Sequence, residues 1–388
     1  MSASTIGAAR FDDTFLNSLR SVGDPPADEV VTAFIDVELD ADSVGLMTAL
    51  ITRSVGSAET DETAVTLCDF ASARPPLPPW TEPEMVERGQ QLFAELVPHF
   101  GLGMWMASIP AGYAGARGAE VLTHTSRLLS DPKRRFIETG QFIIDVMTPG
   151  GLEPLADGSR DIRHVRLMHA AVRQLLITQV PDDGMPPFDV ARFGHPINQE
   201  DLLGTLFTFS LIGLRVLDRV GVRVSNDDAE AYVHVWNVIG HLLGVRSDLL
   251  PLGRADAEVV FERIQRRNYS PSEAGREHTA AAIAVMQDLL SARILRGVPA
   301  AGMRELLGHD IADLLGVPRT RATRMFLLPP RWFNQWSYRL EKDSRLARSL
   351  GERAGRRLFR GFLEYERGGG TRPTFELTDA LKEQLRLL

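Results

Sequence analysis

One stretch limits the architecture of this chain more than any other. Asn198 to Leu217 reads NQEDLLGTLFTFSLIGLRVL, an acidic start followed by apolar residues on nearly every side of a helix. A helix that is apolar all round has no face to give to water, so other elements must surround it. The chain offers them in kind. EMVERGQQLFAELVPHFG, DPKRRFIETGQFIIDVM, RHVRLMHAAVRQLLI and AEAYVHVWNVIGHLLGV all place apolar or small residues at helical spacing. Strand-like alternation is scarce, and no fixed-period repeat occurs. The expectation is an all-α fold with one large helical domain. Hydrophobic residues make up 44% of the 388, ample for a packed core.

Three segments follow from the punctuation. Residues 1–80 read as short N-terminal helices leading into a proline-rich connector. Residues 81–250 form the core, and 251–388 continue as helices packed on it. ADEVVTAFIDVELD and SVGLMTALITRSV are the first helical patterns. RPPLPPWTEPE, Arg74 to Glu84, carries five prolines and reads as a strap or connector rather than a ligand for a proline-recognising partner. The first long helix is expected to stop at Gly101, and the next to open with Asp131 as N-cap and Pro132 at its first position. Near the end, GERAGRRLFRGFLEY interleaves arginines with apolar residues, as a solvated helix packed on the core or a helix lying on an anionic membrane would.

Composition also excludes. A net charge of −8 argues against a dedicated nucleic-acid binder. Cys68 is the single cysteine, so one chain cannot form an internal disulfide or a cysteine-held cluster. The first twenty residues lack the apolar core of a secretory signal, and no run of some 18 apolar residues exists to span a bilayer. A cytoplasmic location is the expectation. No P-loop, HExxH, GxSxG, GxGxxG or Glu-x-x-His pattern occurs.

Histidines remain. On a helix, Arg166, His169 and Arg173 share one side, beside an apolar stripe of Val165, Met168, Val172, Leu175 and Leu176. An imidazole held so can ligate a haem iron while the guanidiniums pair with anionic groups at the macrocycle's edge. The same spacing also suits a hydrogen-bonded core histidine flanked by surface ion pairs. His164 points roughly 140° away from His169 and cannot join it on one metal. His234 and His241, roughly 10 Å apart along their helix, cannot share a metal either; His241, set among apolar residues, is the fallback ligand. A second group, Arg135, Glu138 and Thr139, falls within roughly 100° of arc on the preceding helix. Glu138 is bordered by Phe136, Ile137 and Phe142, surroundings that tune a carboxyl towards general acid–base work, or it pairs with Arg135 on a wet face. The Gly/Ala/Met-rich segment from Gly101 to Ala119 provides either close helix packing or room for a bulky apolar ligand. Thr205 and Thr208 are neighbours on the apolar helix, where hydroxyls commonly back-bond to carbonyls.

RRFIETGQF, VRLMHAAVR, PINQEDLLGTLFTFS and YVHVWNVIGHLLGV, in this order, resemble the latex-clearing-protein (rubber oxygenase) family, whose catalytic domain the fungal MpaB-type oxygenases share. The likeness is strongest from about Trp80 to Val245. It implies a globin-like helical core holding b-type haem, O2 as co-substrate, and, in rubber-degrading members, oxidative cleavage of carbon–carbon double bonds. The family's Arg-x-x-His-x-x-x-Arg pattern is matched by Arg166, His169 and Arg173, which implies His169 as the iron ligand with the arginines at the cofactor. Its distal Arg-x-x-Lys-Thr pattern falls on Arg135, Glu138 and Thr139, with glutamate standing where rubber-cleaving members have lysine. A lysine there can cap the iron; a glutamate is suited to handling protons. A further catalytic glutamate of the family falls in the neighbourhood of Glu120. The resemblance thus implies a haem-dependent oxygenase acting on a small apolar, isoprenoid or other alkene substrate rather than on solid rubber, with any redox partner unidentified. A haem-binding sensor or carrier without turnover, and a haem-free helical scaffold, are the competing readings.

Overall fold

In the computed structural model, residues 10–35, 69–70, 73, 76–126, 132–178, 187–250, 252–290 and 295–320 are described. Cys68, SVGLMTALITRSV, Asp131 and the basic segment GERAGRRLFRGFLEY lie outside the described residues. In chain order the helices are α1 (Asp13–Leu19), α2 (Pro25–Ile35), α3 (Pro83–Glu95) and α4 (Val97–Gly103), then a π-helical turn, Met104–Ser108. Next come α5 (Ile109–Ala114), α6 (Ala116–Ser126), α7 (Pro132–Met147), α8 (Asp157–Thr178) and the single turn α9 (Val190–Phe193). The apolar helix is α10 (Gln199–Arg219), followed by α11 (Asn226–Leu242), α12 (Arg254–Asn268), α13 (Glu273–Asp288), α14 (Val298–Leu307) and α15 (His309–Leu314). Among the described residues the only β pairing is an isolated bridge between Gly115 and Tyr269. The all-α expectation holds.

The apolar helix lies where its composition requires. Asn198 caps α10 by accepting from the Asp201 N–H, and Glu200 and Asp201 stand in the first turn, where acids suit the positive end of the helix dipole. Leu203, Leu211, Val216 and Leu217 are wholly buried. Around them pack α4, the π turn, α5, α11 and α12. Outside this inner shell, α3 lies along α11, α8 pairs with α7, and α2 lies across α8. One hydrophobic cluster runs through most of these elements, from Phe11 to Val317.

Two local features depart from the sequence expectation. The first long helix does not run on to Gly101. It breaks at Leu96, two residues before Pro98, and Gly101 falls inside α4. The proline ring cannot continue a regular helical turn, so the chain bends there; the two segments, Pro83–Glu95 and Val97–Ala114, meet at 83°. Further on, Pro110 has no N–H to offer the preceding turn, and the helix widens to π geometry just before it. No single helix among the described residues is long and apolar enough to cross a membrane, although that bent pair would be by length and composition.

Candidate functional site

A cavity of about 710 Å³ lies between α5, α6, α7, α8, α10, α11 and α12. Its wall is mostly apolar, with Phe136, Ile143, Met168, Val172, Leu206, Phe209 and Trp236 among its residues. Four residues picked out by helical spacing meet there: Arg135, Glu138 and Thr139 from α7, and His169 from α8. Adjacent helices joined by a short turn bring them together, each presenting the face its periodicity sets.

His169 is the centre of this group. Its Nδ1 is buried and has no hydrogen-bond partner in the protein. Burial, with the Arg173 charge adding to it, pushes its pKa down to about 3. The ring is therefore neutral at physiological pH and keeps a lone pair for a metal. On α7, Glu138 is 7% exposed and accepts a 2.8 Å bond from Arg134 Nε. The ion pair considered from the sequence thus exists, but with Arg134, four residues back, instead of Arg135. The Thr139 hydroxyl donates to the Arg135 carbonyl at 2.8 Å, and Thr208 back-bonds in the same way to the Thr205 carbonyl.

Other expected groups lie elsewhere. Arg166 and Arg173 are absent from the cavity wall. Arg166 Nη2 donates to Asp24 Oδ1 at 2.7 Å, and Arg173 Nε to Asp28 Oδ1 at 2.8 Å, with Arg173 Nη1 on the Ile197 carbonyl. Their long side chains swing from the shared face towards the start of α2, where Asp28 on the helix and Asp24 in the turn before it supply the carboxylates. His241 is likewise outside the wall; its Nδ1 lies 3.0 Å from Ser247 Oγ and its ring stands edge-on to Trp80. His234 accepts from the Glu82 N–H at 3.0 Å and serves to fasten the connector to α11. Glu120 does not line the cavity either. The Gly/Ala-rich segment does: Ala111, Gly112, Gly115 and Gly118 form part of its wall.

Several wall residues carried no signal in the sequence. Asp201, held by Arg20 and Asn198, has its pKa raised chiefly by burial. Tyr113 lines the wall and has its pKa raised by burial; behind it, His278 lies 3.3 Å from Thr123 Oγ1. Asn268 and Tyr269, where α12 ends, also face the cavity. Only the dipeptide's place between a helical pattern and Ser-Pro marks it, as a helix end.

Residues 89–336 match the family described as ER-bound oxygenase mpaB/B′/Rubber oxygenase, catalytic domain. A rubber oxygenase from Streptomyces sp. (strain K30) is 28% identical over 258 residues, spanning 63% of this chain and 58% of that protein. The structure of latex clearing protein LCP in the closed state superposes with a TM-score of 0.71 at 22% identity, over 93% of this chain and 95% of the other.

Proposed function

The chain belongs to the mpaB/rubber oxygenase catalytic-domain family, and on that premise we propose that it is a haem b-dependent oxygenase acting on a small, apolar, alkene-containing molecule. The observation that carries this reading is His169, a neutral imidazole with an unpartnered nitrogen in an apolar cavity. The cavity falls within the range of about 300–1,000 Å³ that cofactor and ligand sites occupy. Among the described residues no group of three or more His, Cys, Asp or Glu side chains is placed so that it could hold a metal ion. A cofactor needing one protein ligand is therefore better served here than an ion needing several. His169 would hold the haem iron, and a bound haem would supply the means of activating O2.

The surrounding residues have separable tasks. Arg135 brings a guanidinium with several N–H donors to the wall, suited to an oxygen that gains negative charge. Thr139 has spent its proton on the Arg135 carbonyl, so its lone pairs are left to accept from a protonated group. Glu138, where the rubber-cleaving pattern has lysine, offers a carboxylate that can take a proton from an allylic carbon and return it. Arg134 holds that carboxylate in place. Arg166 and Arg173, engaged by Asp24 and Asp28, fix α8 and thereby His169. Apolar walls select the substrate and exclude water. Adding O2 across a C=C bond to give two carbonyl groups balances without an outside electron donor.

Spectra of protein expressed with haem supplementation test this. The wild type should show a Soret band, and His169→Ala should lose it or bleach it at least about tenfold, as loss of the one protein ligand implies. Aerobic incubation with an isoprenoid alkene should give carbonyl products; a Soret band without O2-dependent product would make the protein a carrier or sensor. A colourless wild type removes the reading. Turnover unchanged at every pH in Glu138→Gln would remove the proton role of Glu138.

A further inference from the structure

One part of the cavity, termed its lobe, is lined by α5, α6, α10 and α12, whereas His169 stands on α8. Small residues leave it open. A Cβ added at Gly112 would meet nothing within 4 Å, and Gly115, Gly118 and Gly204 lie along the same wall. The chain leaving α12 is stitched to the α5–α6 junction: Tyr269 bridges Gly115, and the Ser270 N–H donates to the Ala114 carbonyl at 3.2 Å. Asn268 and Tyr269 are thereby fixed in the lobe's wall.

Their polar atoms are not fully spent on the fold. Asn268 is 7% exposed, yet its Oδ1 has no hydrogen-bond partner; the buried Tyr269 hydroxyl has the Gln265 side chain beside it, one turn back, but makes no hydrogen bond of good geometry. Protein interiors rarely leave such atoms unpaired, because each gave up its bond to water on folding. The acids nearby are already satisfied. Glu200 pairs with Arg20 and Arg267, and Asp201 with Arg20 and Asn198.

We infer that this lobe receives a hydroxyl group carried by an otherwise apolar substrate, with Asn268 and Tyr269 as the residues that recognise it. This deepens the proposed function and rests on its reading of the cavity as a substrate site. An amide oxygen accepts and a phenol both donates and accepts; an alcohol satisfies both, taking the place that water holds in the ligand-free protein. It still does so if the amide is turned over. A carboxylate or phosphate fits poorly. Glu200 and Asp201 in the lobe's wall are acidic, and Arg135, the cation whose charge reaches Tyr113, stands on α7 and not on the helices of the lobe. A site built to bond a hydroxyl also rejects the analogue lacking it, since the protein atoms are then left unpaired.

Farnesol and the hydrocarbon of the same skeleton without the hydroxyl provide the test, with binding followed by intrinsic tryptophan fluorescence on the full-length protein. Farnesol should bind about tenfold more tightly, one buried hydrogen bond's worth. Tyr269→Phe, which removes a single oxygen, and Asn268→Leu should each bring the two affinities together by weakening farnesol and sparing the hydrocarbon. Neither substitution should lower the thermal midpoint of the ligand-free protein, because an unpaired polar group is what each removes. Equal wild-type affinities, or a preference surviving both substitutions, overturns the inference and leaves the oxygenase reading standing. Failure of both probes to bind overturns the inference together with the substrate cavity beneath it, whatever the Soret band shows.

Discussion

His278 shows what single residues contribute beyond the candidate site. Its ring packs against Tyr113 at 5.6 Å, and burial, with the Arg135 charge adding to it, pushes its pKa down to about 4. The unfolded imidazole protonates near pH 6.5, the folded one only near 4. Between those values the unfolded chain binds more protons, so stability falls as pH falls, by at most about 1.4 kcal/mol per pH unit for this group. Urea unfolding from pH 7 to 4 should show a shallower acid limb in His278→Gln than in the wild type. Identical limbs would mean that water reaches the ring in the folded state. Residues of this kind were not legible in the sequence. His169, Arg135, Glu138 and Thr139 were, because helical spacing groups them on their helices and the resemblance set the two groups in one site, although the same spacing also put Arg166 and Arg173 there. His278, Asn268 and Tyr269 reach the cavity region only through packing between helices far apart in the chain.

Helix contacts decide what the same substitution does at different glycines. α3 and α11 touch backbone to backbone at Gly89, where an added Cβ would lie 2.5 Å from the Ala231 carbonyl oxygen. Gly112, in α5, has open space at the same position. Gly89→Ala should therefore force the helices apart and cost about 1–3 kcal/mol, the usual range for overpacking. Gly112→Ala should instead raise stability by about 0.5–1 kcal/mol through the restricted unfolded chain, while narrowing the cavity. Thermal midpoints moving in opposite directions would bear this out; a matching fall in both would show that α5 has no slack. Element boundaries were mostly legible, since Asn198 and the run of apolar residues after it mark α10 at once. The break at Leu96 was not, because an unbroken amphipathic pattern outweighed the signal of Pro98 and drew attention to Gly101 instead.

At the scale of the molecule, a short N-terminal segment ties the cavity together. Arg20 bonds Glu200 and Asp201, Asp24 holds Arg166, Asp28 holds Arg173, and Asp13 joins Glu200 on Arg267. Residues of α1, α2 and the turn between them thus reach α8, α10 and α12, three walls of the cavity. The segment passes close: a Cβ at Gly23 would lie 2.5 Å from Arg173 Nε. Sequence spacing put the two arginines of α8 beside a haem edge, whereas in the fold they pair with Asp24 and Asp28, which lie more than a hundred residues away in the chain. Water can still reach Arg166, whose side chain is 19% exposed, but hardly reaches Arg173 at 3%. Removing one partner of a buried pair strands the other charge, at about 3–5 kcal/mol, whereas replacing both with apolar residues is often close to neutral. Asp28→Ala should accordingly destabilise more than Asp24→Ala. The double variant Asp28→Leu/Arg173→Met should recover much of the loss, short of the bond that Arg173 makes to the Ile197 carbonyl. Urea unfolding of the single and double variants gives the coupling directly. If the two single losses instead add to within about 0.5 kcal/mol, the Asp28 carboxylate does not hold α8 in place, and the position of His169 must be set by the packing of α8 on α7 and α11.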